Sequence, residues 1–196
     1  MSGPFPTKQP RYWFRKPYAD FVARMRVPAG FLLLVAFAWL SRPSRVSLLV
    51  GLPLSMLGLW LRAWAAGHLA KDRQLATTGP YAYLRNPLYV GTLIVAAGIV
   101  IAARDMLLGV IFLFVFLLAY LPAIELEEQH LRSLFPAYDF YAARVNRLFP
   151  LSKWTGNHAR FSWLFYINNK EYDALLGFAL AVAWLLFKLW WPWRLH

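Results

Sequence analysis

The sequence predicts an all-α, polytopic integral membrane protein of about five transmembrane helices with a cytoplasmic amphipathic helix, and three observations predict it. Of 196 residues, 60% are hydrophobic and 18% aromatic, well above the apolar share of about 45–50% in a soluble domain. The apolar residues fall in runs, and a bilayer core of about 30 Å takes about 20 of them per helical crossing. Lys and Arg number 21 against 9 Asp and Glu, and they flank the runs as in loops that face an anionic leaflet. The net charge of +12 therefore points to membrane lipids as partners, and not to nucleic acid. Cysteine is absent, which excludes disulfides, thiolate nucleophiles and thiolate metal sites, and no metal site is expected. The length suits a single membrane domain over 1–196, with no removable signal peptide.

The segment 1–26 interleaves Tyr12, Trp13, Phe14, Tyr18 and Phe21 with Arg11, Arg15, Lys16 and Arg24, the mixture of an interfacial anchor. Hydrophobic spans follow at 27–40, 46–69, 88–103, 106–124 and 174–193. The first and third are short and need tilt, thinning or snorkelling. Ser41-Arg42-Pro43-Ser44-Arg45 and Ala103-Arg104-Asp105 allow only tight turns, so spans three and four form an antiparallel hairpin. The N-terminal segment, the 70–87 loop and the 125–172 stretch hold fifteen Lys and Arg, against four in the two turns and the C-terminal tail. The positive-inside rule then makes the long connectors cytoplasmic, in an inner (plasma) membrane protein whose site faces the cytoplasm. The stretch 125–150 reads as an amphipathic helix on that face, because Leu131, Leu134, Phe135, Tyr138 and Tyr141 recur at helical spacing, and Phe149-Pro150 ends it. Residues 151–172, with Trp154, Trp163 and Phe165, read as an interfacial connector to the last span.

Two cytoplasmic patches carry functional side chains. One is the loop from Gly67 to Gly91, where Gly79-Pro80 forces a turn, Asn86 is an N-cap and Pro87 starts span three. The other is Glu125, Glu127, Glu128 and His130. Taken alone, each is ordinary turn chemistry or a solvated first turn. Arg62 lies mid-span, where it costs about 2.5–3.5 kcal/mol on insertion scales, so it should face a cavity or the loop, or snorkel.

The run Thr78-Gly79-Pro80-Tyr81-Ala82-Tyr83-Leu84-Arg85-Asn86-Pro87-Leu88-Tyr89-Val90-Gly91, a hydrophobic hairpin, then Glu127-Glu128 and Tyr138 and Tyr141, resembles the isoprenylcysteine carboxyl methyltransferase family and related phospholipid methyltransferases over about residues 60–150. That resemblance implies a cytoplasmic pocket for S-adenosylmethionine and a lipophilic small-molecule or lipid substrate entering from the bilayer. It places Gln74, Leu75 and Ala76 at the adenosyl end and Tyr81, Asn86, Pro87, Leu88 and Tyr89 around the cofactor. Glu127 and Glu128 are its acidic contacts, with His68 a further cofactor residue and Arg85 the catalytic one. The residue types suit a sulfonium, an ammonium and a carboxylate: an acidic partner, a tyrosine face, and donors from Arg85 or Asn86. Family members commonly read Arg-His-Pro where this chain has Arg85-Asn86-Pro87, and Asn cannot serve as a base near neutrality. The arginine that eukaryotic prenylcysteine enzymes place one turn before the glutamates is matched here by Ala123. With no base evident, a carboxylate acceptor is favoured over a lipid amine. Two other readings stay open: a membrane sterol-type reductase, whose Arg-x-Pro-x-Tyr loop is similar, and a non-enzymatic transporter or scaffold built on the five spans alone.

Overall fold

A computed structural model describes residues 16–151 and 159–190, and its regular elements are helical, with one isolated bridge between Leu84 and Asn146. The helices are α1 (Lys16–Leu40), α2 (Arg45–Ala66), α3 (Pro87–Ala103), α4 (Met106–Val115), α5 (Leu121–Leu134), α6 (Tyr138–Ala142), α7 (Trp163–Asn168) and α8 (Tyr172–Trp190). A 3-10 turn, Gly79–Ala82, precedes α3, and a π-helical turn, Phe116–Tyr120, joins α4 to α5. Three continuous helices are long and apolar enough to cross a bilayer, Arg45–Ala66, Met106–Leu134 and Tyr172–Trp190, and Pro28–Leu40 and Pro87–Ala103 are shorter apolar helices. Along them Trp39 is 77% and Leu49 76% exposed, a surface stable only against lipid.

The helix α1 begins at Lys16, so the latter part of the expected anchor continues the first span as helix; Arg11, Tyr12, Trp13, Phe14 and Arg15 lie outside the described residues, as does Trp154. The Tyr18 hydroxyl donates to the Leu118 carbonyl at 3.1 Å. Pro122, four residues further on, has no amide hydrogen to give that carbonyl, and the chain widens into its π turn just before it. A proline in the fourth span thus creates the acceptor that docks α1.

The closest packing is between α2 and α3. A Cβ on Gly51 would fall 2.4 Å from the Gly98 carbonyl oxygen, and one on Gly58 2.6 Å from the Val95 amide nitrogen. Between them the Ser55 hydroxyl donates to the Val95 carbonyl at 2.9 Å. Backbones approach this closely only where side chains are absent, and in lipid such van der Waals contact drives helix association in place of the hydrophobic effect.

At one end the two short turns meet. Ser44 and Ser47 form a capping box on α2, Asp105 caps α4, Arg104 closes α3 in the left-handed region at φ 53, and the Arg42 amide donates to the Ala103 carbonyl at 2.8 Å. Leu48, Ala102, Ala103, Leu108 and Leu185 form a buried cluster here. Lys188, within the fifth span, donates to the carbonyls of Ala38 at 2.8 Å, Trp39 at 3.0 Å and Ser41 at 2.8 Å. Its charge meets the negative C-terminal end of α1, which fixes the end of α8 beside the first turn.

The opposite end departs from one expectation. The expected amphipathic helix over 125–150 is instead the continuation of the fourth span to Leu134, followed by a break at Phe135 and the short α6. Pro136 lacks the amide a further turn would need, and the fold breaks there, well before Phe149-Pro150. The apolar recurrence is real but serves two segments folded onto one another: Leu131 and Phe135 pack against the buried Tyr138, Tyr141 and Val145, with Leu75 of the loop.

Gly98→Ala is expected to destabilise the α2–α3 seam by about 1–3 kcal/mol, since its methyl would lie 2.3 Å from Ser55 Oγ. Gly177→Ala, with nothing within 4 Å, should be neutral or slightly stabilising. Unfolding titrations in detergent would check the pair.

Candidate functional site

The loop between α2 and α3 is held from three sides. Asn169 donates through Nδ2 to the Ala66 and Leu69 carbonyls at 3.0 and 2.9 Å, and the Ser162 amide donates to the Gly67 carbonyl at 2.9 Å. The segment before α8 thereby satisfies carbonyls that the end of α2 leaves open. Gly79 turns the chain at φ +59, and a Cβ there would strike the His68 ring at 2.5 Å. His68 Nδ1 lies 3.1 Å from the Thr78 hydroxyl and Phe161 packs edge-on against its ring; burial lowers its pKa, keeping the imidazole neutral. Beyond the turn, Tyr141 donates its hydroxyl to the Tyr81 carbonyl at 2.7 Å, and the Arg85 amide donates to the Asn146 carbonyl at 2.9 Å.

The carboxylates at the start of the acidic patch separate into two roles. Glu125 and Glu128, 2% and 1% exposed, share Arg147, whose Nη2 lies 3.0 Å from Glu125 Oε2 and 2.7 Å from Glu128 Oε2. Asn86 donates to Glu128 Oε1 at 3.1 Å and to the Arg147 carbonyl at 3.3 Å, and Arg85 Nη1 lies 3.4 Å from Glu128 Oε2. Asn86 stands at the cap position of α3, yet its side chain makes no cap bond because this cluster engages it. Glu127, on the exposed face of α5, accepts from the Tyr89 hydroxyl at 2.9 Å, and the Tyr89 ring meets Tyr120 edge-on. The loop before the third span and the helix after the fourth therefore meet.

Between them opens a cavity of about 650 Å³, within the range of about 300–1,000 Å³ that small-molecule sites occupy. Of the residues singled out in the sequence, Gln74, Leu75, Ala76, Tyr81, Arg85, Asn86, Leu88, Tyr89 and Glu127 line it. His68, Pro87 and Glu128 are not on its wall: His68 supports the Gly79 turn, Pro87 is the buried first residue of α3, and Glu128 is enclosed by cations. His130, exposed and 3.2 Å from Asp72, lines the cavity, as does the buried Ala123.

Burial, and then the charge of Glu127, raise the Tyr81 pKa; burial raises those of Tyr138 and Tyr141 as well. These phenols are protonated at neutral pH, so they donate hydrogen bonds and cannot act as bases. Arg85 lies beside Tyr138, and its charge lowers the phenol's pKa against the effect of burial; both side chains line the cavity. A guanidinium on the wall of a cavity suits an anionic group of a ligand.

Three wall or support residues carried no local signal. Arg147 is 22 and 19 residues from the carboxylates it holds. Glu171 and Asn169 come from the connector before α8, and Glu171 answers the question of Arg62. Arg62 Nη2 donates to Glu171 Oε2 at 3.0 Å, and Nη1 reaches the Leu88 carbonyl at 3.3 Å and the Thr92 hydroxyl. Both Arg62 and Glu171 line the cavity. A charge inside a span, as Arg62 is, was the only available clue that a partner had to exist.

Arg147→Met should cost about 3–5 kcal/mol by leaving two buried carboxylates without their shared cation. Adding Glu125→Gln and Glu128→Gln should restore part of that loss. Denaturant titration in detergent would check both outcomes.

Comparison with known proteins bears on this geometry. The chain is 34% identical over 114 residues to the nickel-cobalt-cadmium resistance protein NccN of Alcaligenes xylosoxydans xylosoxydans, covering 57% of this chain and 52% of that protein. It is 32% identical over 125 residues to the cobalt-zinc-cadmium resistance protein CzcN of Cupriavidus metallidurans, covering 60% of this chain and 56% of that protein. The chain thus spans about half the length of the curated relatives it matches. No solved structure matches it. Residues 46–137, from α2 through α5, match the model of the phospholipid methyltransferase family, and over that segment the chain is similar to the isoprenylcysteine carboxyl methyltransferase-like group of membrane methyltransferases.

Proposed function

We propose that the chain transfers a methyl group from S-adenosylmethionine to a lipophilic acceptor that reaches the cavity from the bilayer, at the cytoplasmic face of an inner (plasma) membrane. The observation that carries this reading is the cavity itself: Glu127, Tyr81, Tyr89 and Arg85 converge on it, all within the segment that matches the methyltransferase family.

The donor set fits the cofactor's charges. Glu127 supplies a carboxylate for a cation, the tyrosine rings supply faces that attract one, and the Arg85 guanidinium on the wall suits a carboxylate. Bound, S-adenosylmethionine would supply a methyl carbon activated by its sulfonium. The chain's own contribution is to exclude water and to hold the acceptor's nucleophilic atom about 3–3.5 Å from that carbon, in line with the bond that breaks. No covalent enzyme intermediate is required. The sequence favoured a carboxylate acceptor because no base was evident, and the carboxylate the structure adds to the cavity wall, Glu171, is paired with Arg62. Nickel, cobalt, zinc or cadmium resistance, the property in the relatives' names, would reach this chain through whatever molecule it methylates.

Calorimetry on detergent-purified protein should show S-adenosylhomocysteine binding, weakened about tenfold or more by Glu127→Ala through loss of a charge-assisted contact. An NADPH titration of the same sample should give no heat. Wild-type protein that binds NADPH and not S-adenosylhomocysteine would reverse the assignment to the reductase reading.

A further inference from the structure

We infer that α7 is a bracket seated on an anionic membrane surface: one of its faces enters the headgroup region while the other holds the loop between α2 and α3, so that contact with anionic lipid orders that loop.

Trp163, Leu164 and Ile167, at positions i, i+1 and i+4, share one face of α7 and are 70%, 64% and 55% exposed. The residues that bound the helix serve the opposite side. The Ser162 amide donates to the Gly67 carbonyl, and Asn169 Nδ2 donates to those of Ala66 and Leu69, so the end of α2 and the start of the loop hang on α7. Phe161, just ahead of the helix, packs edge-on against His68, and Gly67 leaves room for that ring, since a Cβ there would collide with it. The loop held in this way carries Gln74, Leu75 and Ala76 to the cavity wall.

A helix of six residues is marginal by itself, and three large apolar side chains on one face need a cover. The bilayer supplies it. Only three residues separate α7 from α8, a helix long and apolar enough to cross a membrane, and the first turns of α8 expose Tyr172, Leu175 and Leu176. The apolar face of α7 thus adjoins a lipid-facing surface along the chain, at the depth where tryptophan and amphipathic helices settle. The charges select the kind of lipid. From Phe140 to Lys170 the sequence has five Lys and Arg and no Asp or Glu. Arg147 is engaged by the buried carboxylates, but Arg160 and Lys170, which flank α7, are exposed. Cations on either side of an apolar patch complement anionic headgroups, and their attraction acts within a Debye length of the surface. Without that attraction α7 sits less firmly, Ser162 and Asn169 hold the carbonyls at the end of α2 for a smaller share of the time, and the loop opens more often. The consequence for the cofactor rests on the methyl-transfer reading: a loop already ordered loses less entropy on binding it.

Full-length protein in vesicles of phosphatidylcholine, alone or mixed equally with phosphatidylglycerol, tests the bracket. Because the chain has no cysteine, Leu164→Cys offers a single site for a bimane label, and lipid brominated on its acyl chains should quench that label. Hydrogen exchange of the peptide spanning 67–79 should slow about fivefold or more when phosphatidylglycerol is present, the factor expected from one cation near an anionic surface. The double variant Arg160→Gln/Lys170→Gln should lose that slowing while matching wild-type exchange in phosphatidylcholine alone. S-adenosylhomocysteine affinity should rise with phosphatidylglycerol by a similar factor. A label that brominated lipid leaves unquenched would overturn the seating of α7. Equal exchange in the two kinds of vesicle, or a slowing that the double variant keeps, would overturn the coupling to the loop. Exchange that responds to phosphatidylglycerol in protein that binds no S-adenosylhomocysteine would support the bracket and overturn the methyl-transfer reading instead.

Discussion

Two carboxylates one turn apart on a helix cannot both be buried unless a cation is buried with them. Glu125 and Glu128 meet that condition through Arg147, and the consequence reaches well beyond the pair. Arg147 comes from the strand-like segment that also bridges Leu84, while Glu128 takes Asn86 and Arg85 from the start of α3. One cluster therefore fixes the three pieces that surround the cavity: the loop, the helix after the fourth span and the segment beyond α6. Desolvating such charges is costly and is offset only when their hydrogen bonds are completed. The geometry around Arg85 follows from that requirement.

The opposite problem is solved along α2. A stripe of small residues brings α2 against α3 for most of its length, and then Arg62 ends the stripe where the cavity begins; the Gly91 Cβ position would lie 2.5 Å from the Arg62 side chain. The close approach that stabilises the pair in lipid also delivers a charge to the site. Glu171 compensates it, and α8, otherwise loosely packed, is tied at this end by that pair and at the other by Lys188 on the carbonyls of α1. Electrostatics holds the last helix where apolar packing in lipid offers little selectivity.

The all-α membrane class, the apolar spans, the two tight turns, the Gly79 turn and the meeting of Tyr89 with Glu127 were legible in the sequence. Each depends on local spacing or on the order of motifs along the chain. The roles of the glutamates were not legible, because Glu127 and Glu128 are neighbours whose side chains point to different surroundings, and only the position of Arg147 separates them. Asn86 read as a cap for the same reason, since its competitor for the side chain was 42 residues away. The helix break at Pro136 was masked by apolar spacing that persists across it. Glu171 was invisible: a lone acidic residue in an aromatic connector has no pattern, and only the unexplained Arg62 implied that such a partner existed.

The central claim is that the loop before the third span and the acidic helix after the fourth enclose the methyl donor. Ultraviolet cross-linking of methyl-labelled S-adenosylmethionine to the purified protein, followed by peptide mapping, tests it most directly. The account predicts label on the peptides that carry Gln74 to Tyr89 and Glu127, lost on competition with S-adenosylhomocysteine. Label confined to the turn end, around Arg42 or Arg104, would contradict it.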